Sequence, residues 1–518
     1  MIEQLPIIIL IAPLFGALLI GLVGLRDYRV CFPIVISALG VSFTAAVVTA
    51  FRVFANGPIS YFIGGWEEPL GIGIALRIDA INAFVLIAIA IVVILAAISS
   101  IRPIGEKDTE KTPYFYILFL LLCVGLFGIT ITGDAFNLFV LVEVSSLSSY
   151  GLVAIGSSRR CKMAAFNYLI MGTVGASFYL IGVGYLYLRT GSLNMQDIHT
   201  IISVNESVAT SRAVVTGFAF ILIGTWVKMA FFPLYGWLPN AYSYAPSSSS
   251  SILAPLMTKV SVYVMIRVML SVFGFEWIFS HSGWNTLVVI LAIIAILSGS
   301  VMALAQREIK RMLCYLIVAE IGYMVGGAWL ADTNQWGLTG AIYHILADAM
   351  MTLCLFLAAA IFAKRLGATQ IQDLGGLFQK MPLASIGFVI GALGMIGIPP
   401  TSGFFSKFFL IRGGIESGHW GFVAALLISS LVNAVLFFRI FEIAFFGKKP
   451  VDSHDPTQDH RDDHEEEPVA NVEVPLHSLL PLLTAAALVI LLGLCSGPIA
   501  ELIRTAFEAV PSVVSNLR

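Results

Sequence analysis

Lys228, Lys259 and Lys407 stand inside apolar stretches long enough to cross a membrane. An ammonium at the centre of a bilayer costs roughly 2.5–3.5 kcal/mol on insertion scales. A chain that places such lysines there, together with Glu143, Glu320, His344 and Asp348, has the chemistry to hold protons and pass them on. Glu143 lies midway along GDAFNLFVLVEVSSLSSYG, out of snorkelling reach of either end. A nearby ammonium keeps such a carboxylate ionised. A Glu143–Lys228 pair is therefore expected to switch. While it is closed the lysine keeps its proton, and when it opens, desolvation disfavours the charge and the proton moves on. His344 and Asp348 are four residues apart and share a helix face, with Glu320 expected at a similar depth. These three are expected to continue a path from Lys259 toward Lys407. The plain alternative is structural: lysines that lock helices by ion pairs, and a hydrogen-bonded packing cluster around His344. Asp134, near the edge of its span, reads as a cap.

The elements that must hold these groups follow from composition. Hydrophobic residues make up 58% of the 518 and charged residues 12%, against roughly 25% charged in a soluble domain. No water-soluble fold covers that much apolar surface. The expected class is an all-α integral membrane protein. A window of about 20 residues gives about fourteen spans. They lie near 5–24, 31–54, 79–101, 114–132, 135–156, 164–189, 213–235, 250–274, 284–305, 311–330, 337–363, 383–411, 419–446 and 477–497. Polar segments between them are short except 190–212 and the His/Asp/Glu-rich stretch 448–475. In that stretch His454, His460 and His464 read as incidental to an acidic solvated loop, with metal binding the lesser alternative. The first run, Ile7 to Leu25, lacks a basic leader and a small-residue cleavage site, so it reads as a permanent span. Cys31, Cys123, Cys161, Cys314, Cys354 and Cys495 are scattered singly and read as small buried hydrophobes.

Orientation follows from the basic residues. Loops after odd-numbered spans collect clusters such as Arg26 and Arg29, Arg159, Arg160 and Lys162, Arg307, Lys310 and Arg311, and Lys364 and Arg365. The opposite side has only Arg77, Arg189, Arg212, Arg412, Arg504 and Arg518. The odd loops are therefore expected to face the cytoplasm and both termini to face outward, in a cell membrane. Arg52, Arg267 and Arg439 lie toward span ends, where each can snorkel or bind a loop carboxylate.

Helix breakers accompany the lysines. Lys228 is followed by Pro233 and Pro239, while Gly397, Pro399, Pro400 and Gly403 precede Lys407. Proline removes an internal hydrogen bond and clashes with the preceding turn. Interruptions at membrane depth are tolerated where they line a polar cavity or are buried in protein. Their placement in the seventh and twelfth spans is the mark of an inverted-repeat transporter. The expected organisation is three N-terminal spans (1–112), a first repeat of spans 4–8 (113–275), a second of spans 9–13 (283–447), a charged cytoplasmic loop (448–475), and a last span with its tail (476–518).

Four long stretches carry a family resemblance: GDAFNLFVLVEV, KMAFFPLYGWLPNAYSYAPSSSSSILAPLMTKVSVY, REIKRMLCYLIVAEIGY and MPLASIGFVIGALGMIGIPPTSGFFSKFFLIRGG. Together they resemble the antiporter-like subunits shared by respiratory complex I and Mrp-type cation/proton antiporters, across about residues 70 to 445. The D-type subunit of Mrp antiporters is the most similar kind. The resemblance implies a fourteen-helix core with two inverted five-helix units. It implies that Glu143 and Lys228 are the glutamate–lysine pair, Lys259 the connecting lysine and Lys407 the terminal lysine of a broken helix. The sequence departs from the family pattern at Tyr235, where His is common. It departs again where H-x-x-x-H followed by Lys becomes His344, Asp348 and Thr352, and at Glu320, where a neutral residue is common. Two added acids raise Na⁺ as a candidate ion, since carboxylates suit hard cations.

The function this implies is proton and cation translocation within a multisubunit Mrp-type antiporter. The alternative is the proton-pumping membrane arm of a complex I-like NADH:quinone oxidoreductase, hydrogenase or formate hydrogenlyase. No nucleotide loop, cysteine cluster or haem motif is present in the sequence, so no redox chemistry, cofactor or metal is expected in this chain. The expected partners are other membrane subunits, protons and the lipid bilayer, not nucleic acid.

Overall fold

The computed structural model describes residues 4–65, 73–101, 109–331, 335–447, 472 and 474–508. His454, His460 and His464 lie outside the described residues.

A segment in hydrocarbon must satisfy its own N–H and C=O groups, which leaves the helix as its form here. The first three spans are α1 (Leu5–Leu19), α2 (Cys31–Asn56) and α3 (Ala80–Ser99). Between α2 and α3, where only a loop was expected, β1 (Ile59–Phe62) pairs antiparallel with β2 (Ala75–Ile78), Ile59 opposite Ile78. Next come α4 (Thr112–Ile131), α5 (Ala135–Ala154) and α6 (Arg159–Thr190). Asp134 does cap α5, accepting from the Asn137 amide at 2.6 Å. The polar segment 190–212 is itself helical in part, as α7 (Met195–Val204) and α8 (Glu206–Ala209). The seventh and eighth spans are α9 (Arg212–Met229), the short α10 (Leu238–Tyr244) and α11 (Ser247–Val268), followed by the single turn α12 (Phe275–Trp277). Then follow α13 (Asn285–Leu304), α14 (Ile309–Ala328), α15 (Gln335–Leu366) and the turn α16 (Leu377–Lys380). The chain continues with α17 (Pro382–Ile396), α18 (Ser402–Glu416), α19 (Trp420–Phe446), α20 (Leu476–Leu494) and α21 (Ser496–Glu508).

Thirteen helices among the described residues are long and apolar enough to cross a membrane. The expected twelfth span, 383–411, is broken as expected, into two half-helices, α17 and α18. The molecule is an all-α, multi-pass membrane protein with one small hairpin among the described residues. Burial separates the helices by role. The apolar windows of α11 and α14 are 89% buried and that of α15 is 94% buried, against 33% for α1 and α20. The innermost helices carry Lys259, Glu320, His344 and Asp348.

The two breaks share one stop signal, and it is not the proline itself. After α9, Ala230 adopts φ +61. Its N–H bonds Val227 O at 3.3 Å, and the Phe231 N–H bonds Trp226 O at 3.0 Å. After α17, Gly397 adopts φ +90, with the Gly397 and Ile398 amides both on Leu393 O. A left-handed residue just past the helix end closes the last carbonyls in this way. Pro233, and then Pro399 and Pro400, follow and bar resumption. Pro239, expected as a breaker, stands in the first turn of α10 and starts that helix. Close packing holds the second break: a Cβ on Gly403 would collide with the Gly394 carbonyl, bringing α17 and α18 backbone to backbone.

Of the six cysteines, Cys31, Cys123, Cys161, Cys314 and Cys354 are buried as expected; Cys495, at the end of α20, is exposed.

Candidate functional site

Lys228 is the penultimate residue of α9, so its ammonium sits at the first break. It donates to Glu143 Oε1 at 2.9 Å and to Ser146 Oγ at 2.8 Å. Glu143 is the ninth of the 20 residues of α5, which puts the pair and the break near mid-depth. The Glu143 side chain is 23% exposed. It shares its helix face with Val140 and Leu147, both exposed. Beside Lys228 is a cavity of about 30 Å³, lined among others by Ser146, Tyr168, Tyr179, Thr225 and Ser261. That is room for a water or two. Through Ser261 it reaches α11, the helix that carries Lys259.

Lys259 pairs with Asp348 Oδ2 at 2.9 Å, and it also donates to Thr352 Oγ1 and Ala254 O, each at 3.2 Å. The Thr352 hydroxyl donates in turn to Asp348 Oδ1 at 2.6 Å. Thr352, where the family commonly has a lysine, thus bridges ammonium and carboxylate.

One turn away on α15, His344 turns from Asp348 toward α14 and α18. Its Nε2 lies 2.5 Å from Glu320 Oε2, and its Nδ1 lies 2.8 Å from Ser406 Oγ. The Ser406 hydroxyl donates to Gly403 O at 2.9 Å. Its oxygen therefore accepts from Nδ1–H, which leaves one proton to be shared between Nε2 and Oε2. Both side chains are fully buried. Glu320 Oε1 has no hydrogen-bond partner among the described residues.

Lys407, the neighbour of Ser406 in sequence, meets no carboxylate in direct contact among the described residues. It donates to Met395 O at 2.7 Å and to Ile396 O at 3.4 Å, carbonyls at the end of α17, and to Ser430 Oγ at 3.3 Å. Its ammonium stands 5.1 Å from the centre of the Tyr323 ring. The negative end of a helix suits a cation.

The sequence-derived residues thus form pairs, in the order Glu143–Lys228, Lys259–Asp348 and His344–Glu320, and end on a lysine held by carbonyls. Sequence reasoning missed Ser146 and Ser406, since serines in a membrane helix carry no distinguishing signal. Of the two roles expected for Arg267, snorkelling or binding a loop carboxylate, the structure shows the second: the guanidinium grips Asp79, at 2.7 and 2.9 Å.

Comparison with known proteins agrees with this architecture. Residues 132–433 match the family described as NADH:quinone oxidoreductase/Mrp antiporter, TM. NADH-quinone oxidoreductase subunit N of Desulforudis audaxviator is 39% identical, over 95% of this chain and 96% of that protein. The D-type subunit of the Na⁺/H⁺ antiporter of Bacillus subtilis is 31% identical, over 88% of this chain and 89% of that one. A chain from the membrane-bound sulfane sulfur reductase, an archaeal respiratory membrane complex, superposes with a TM-score of 0.87 at 27% identity, covering 99% of this chain and 100% of that chain. A chain of the Mrp complex from Dietzia has the same fold, with a TM-score of 0.86 at 24% identity over 100% and 99% of the two chains.

Proposed function

The chain belongs to the NADH:quinone oxidoreductase/Mrp antiporter transmembrane family, and from that premise we propose that it translocates protons as one subunit of a multisubunit Mrp-type cation/proton antiporter. The observation that carries the reading is the row of base–acid pairs that starts on α5 and α9, enters the most buried helices and ends at Lys407. Each pair is near neutral as it stands. When one loses a proton, the negative charge left in a low-dielectric interior draws a proton from its neighbour. Ser146, Thr352 and Ser406 hold the bases in register. In this reading the two inverted repeats are 113–275 and 283–447, the protein lies in the cell membrane, and both termini face outward.

The partial exposure of Glu143 supports assembly with partners. A carboxylate at mid-depth is not stable against lipid, so the face of α5 with Val140 and Leu147 is a surface for another membrane subunit. A second reading is favoured by the 39% relative, an NADH-quinone oxidoreductase subunit: the same chain would then be the proton-pumping arm of a redox complex. Subunits that co-purify separate the two, iron–sulfur or nickel proteins for the redox complex and small membrane proteins for the antiporter. The common claim is tested in proteoliposomes of the intact complex with pH and Na⁺ reporters. Lys228→Ala and Glu143→Ala should each reduce translocation to background with assembly intact. Normal exchange in both would refute the pair's role.

A further inference from the structure

Lys259, Tyr263 and Arg267 follow one another at four-residue spacing on α11, so they form one stripe running from the centre toward the end of α11 near α7 and the β hairpin. At that end is a cavity of about 510 Å³, lined by Arg77, Asp79, Asn82, His199, Arg267 and Ser271 among others. A polar stripe that joins a central lysine to a wide vestibule has the outline of a proton exit. The hydrogen bonds contradict that outline.

All five guanidinium donors of Arg267 are engaged. Nη1 gives to Asp79 Oδ2 at 2.7 Å and Ser271 Oγ at 3.1 Å. Nη2 gives to Asp79 Oδ1 at 2.9 Å and to Asn82 Oδ1, and Nε gives to Tyr263 Oη at 3.1 Å. Tyr263 is equally saturated: it donates to Thr130 O at 2.9 Å and accepts from Arg267 and from Asn82 Nδ2 at 3.0 Å. Asn82 Nδ2 also reaches Arg77 O and Thr130 O. Burial pushes the Asp79 carboxyl up, but the charge and hydrogen bonds of Arg267 more than offset it and leave it below its ordinary value. It is therefore a carboxylate already filled. An arginine does not release its proton, so no proton can hop through this position.

We infer that Arg267, with Asp79, Asn82 and Tyr263, is a seal that closes the vestibule off from Lys259. Charge reaching Lys259 is thereby directed sideways, to Asp348 and on toward Lys407. This rests on the proposed proton route through Lys259, and it assigns a selectivity role to residues outside the row of pairs.

The test uses the full complex in proteoliposomes with an imposed pH gradient and no alkali cation. Asp79→Asn with Arg267→Gln removes both charges while keeping hydrogen-bonding groups. This double variant should collapse the gradient about tenfold faster than wild type, and adding Lys259→Met should restore the wild-type rate. An assembled double variant no leakier than wild type overturns the seal, as does a leak that ignores Lys259→Met. A second arm requires no charge change and no transport. In a Cys495→Ser background, a membrane-impermeant methanethiosulfonate should label Ser271→Cys in the vestibule and spare Thr130→Cys beneath the network. Labelling of both overturns the seal even if the proton route itself stands.

Discussion

Lys259 of α11 and Asp348 of α15 form an ion pair at 2.9 Å with 1% and 0% of their side chains exposed. The pair joins the half of the protein that holds Lys228 to the half that holds Lys407. Ions so enclosed depend on each other, because desolvation of either alone is not recovered elsewhere.

Removing one partner should therefore be costly. Asp348→Ala is expected to lower the stability of the complex by about 3–5 kcal/mol, read as a drop in its thermal unfolding midpoint in detergent. Lys259→Met combined with Asp348→Leu should recover most of that loss while exchange stays absent. Recovery of exchange in the double variant would mean that the pair serves only to join helices.

Ser406 fixes which His344 nitrogen carries the hydrogen that is not shared with Glu320. Ser406→Ala should slow exchange by about tenfold, less than the roughly 100-fold or more of a direct proton donor or acceptor because Ser406 only orients His344, and should move the pH profile of the rate. Tyr323, Lys407, Asp348 and Lys259 are the other charged or titratable groups around the pair. Ser406→Thr keeps the hydroxyl and should retain both rate and profile. An alanine variant with an unmoved profile would reduce Ser406 to packing.

Both added acids are already engaged by bases, Asp348 by Lys259 and Glu320 by His344. A sodium ion at either would have to displace its partner. The Glu320→Gln, Asp348→Asn variant should consequently lose proton movement, while any residual rate keeps the wild-type dependence on Na⁺. Altered sodium dependence, measured with a Na⁺ reporter, would instead place the cation at these carboxylates.

The contact between α17 and α18 leaves no space for a side chain. Gly403→Ala should force the half-helices apart and abolish exchange, because its Cβ would enter the Gly394 carbonyl. Gly418, in an exposed turn with open space around it, offers a control, although its φ of +71 still disfavours alanine there modestly. Full activity in Gly403→Ala would show that the break tolerates a wider gap.

Much of the architecture was legible because hydrocarbon leaves so few options. An ionisable residue inside an apolar run needs a partner, and Glu143 and Lys228, 85 residues apart in sequence, meet at 2.9 Å. Other features were not legible. Spacing put His344 and Asp348 on one face, yet each binds a different helix, a choice made by side-chain direction and not by periodicity. The stop at Ala230 was masked by the more conspicuous prolines, whereas Gly397 already stood among the expected breakers. Asp79 and Arg267 are 188 residues apart, and the hairpin that presents Asp79 is short and weakly patterned. The helix α21 escaped notice because a span-length window averages out an amphipathic 13-residue helix.

Lys407 differs from Lys228 and Lys259 in what holds it. Carbonyl oxygens cannot accept its proton for keeps, and their grip exists only because α17 stops at Ile396 and leaves them free. The hold on that last charge is thus set by the spacing of two helix ends, not by a neighbouring acid. A sub-ångström slide of one half-helix against the other would loosen or tighten the ammonium. At this position mechanical displacement and proton affinity become one variable.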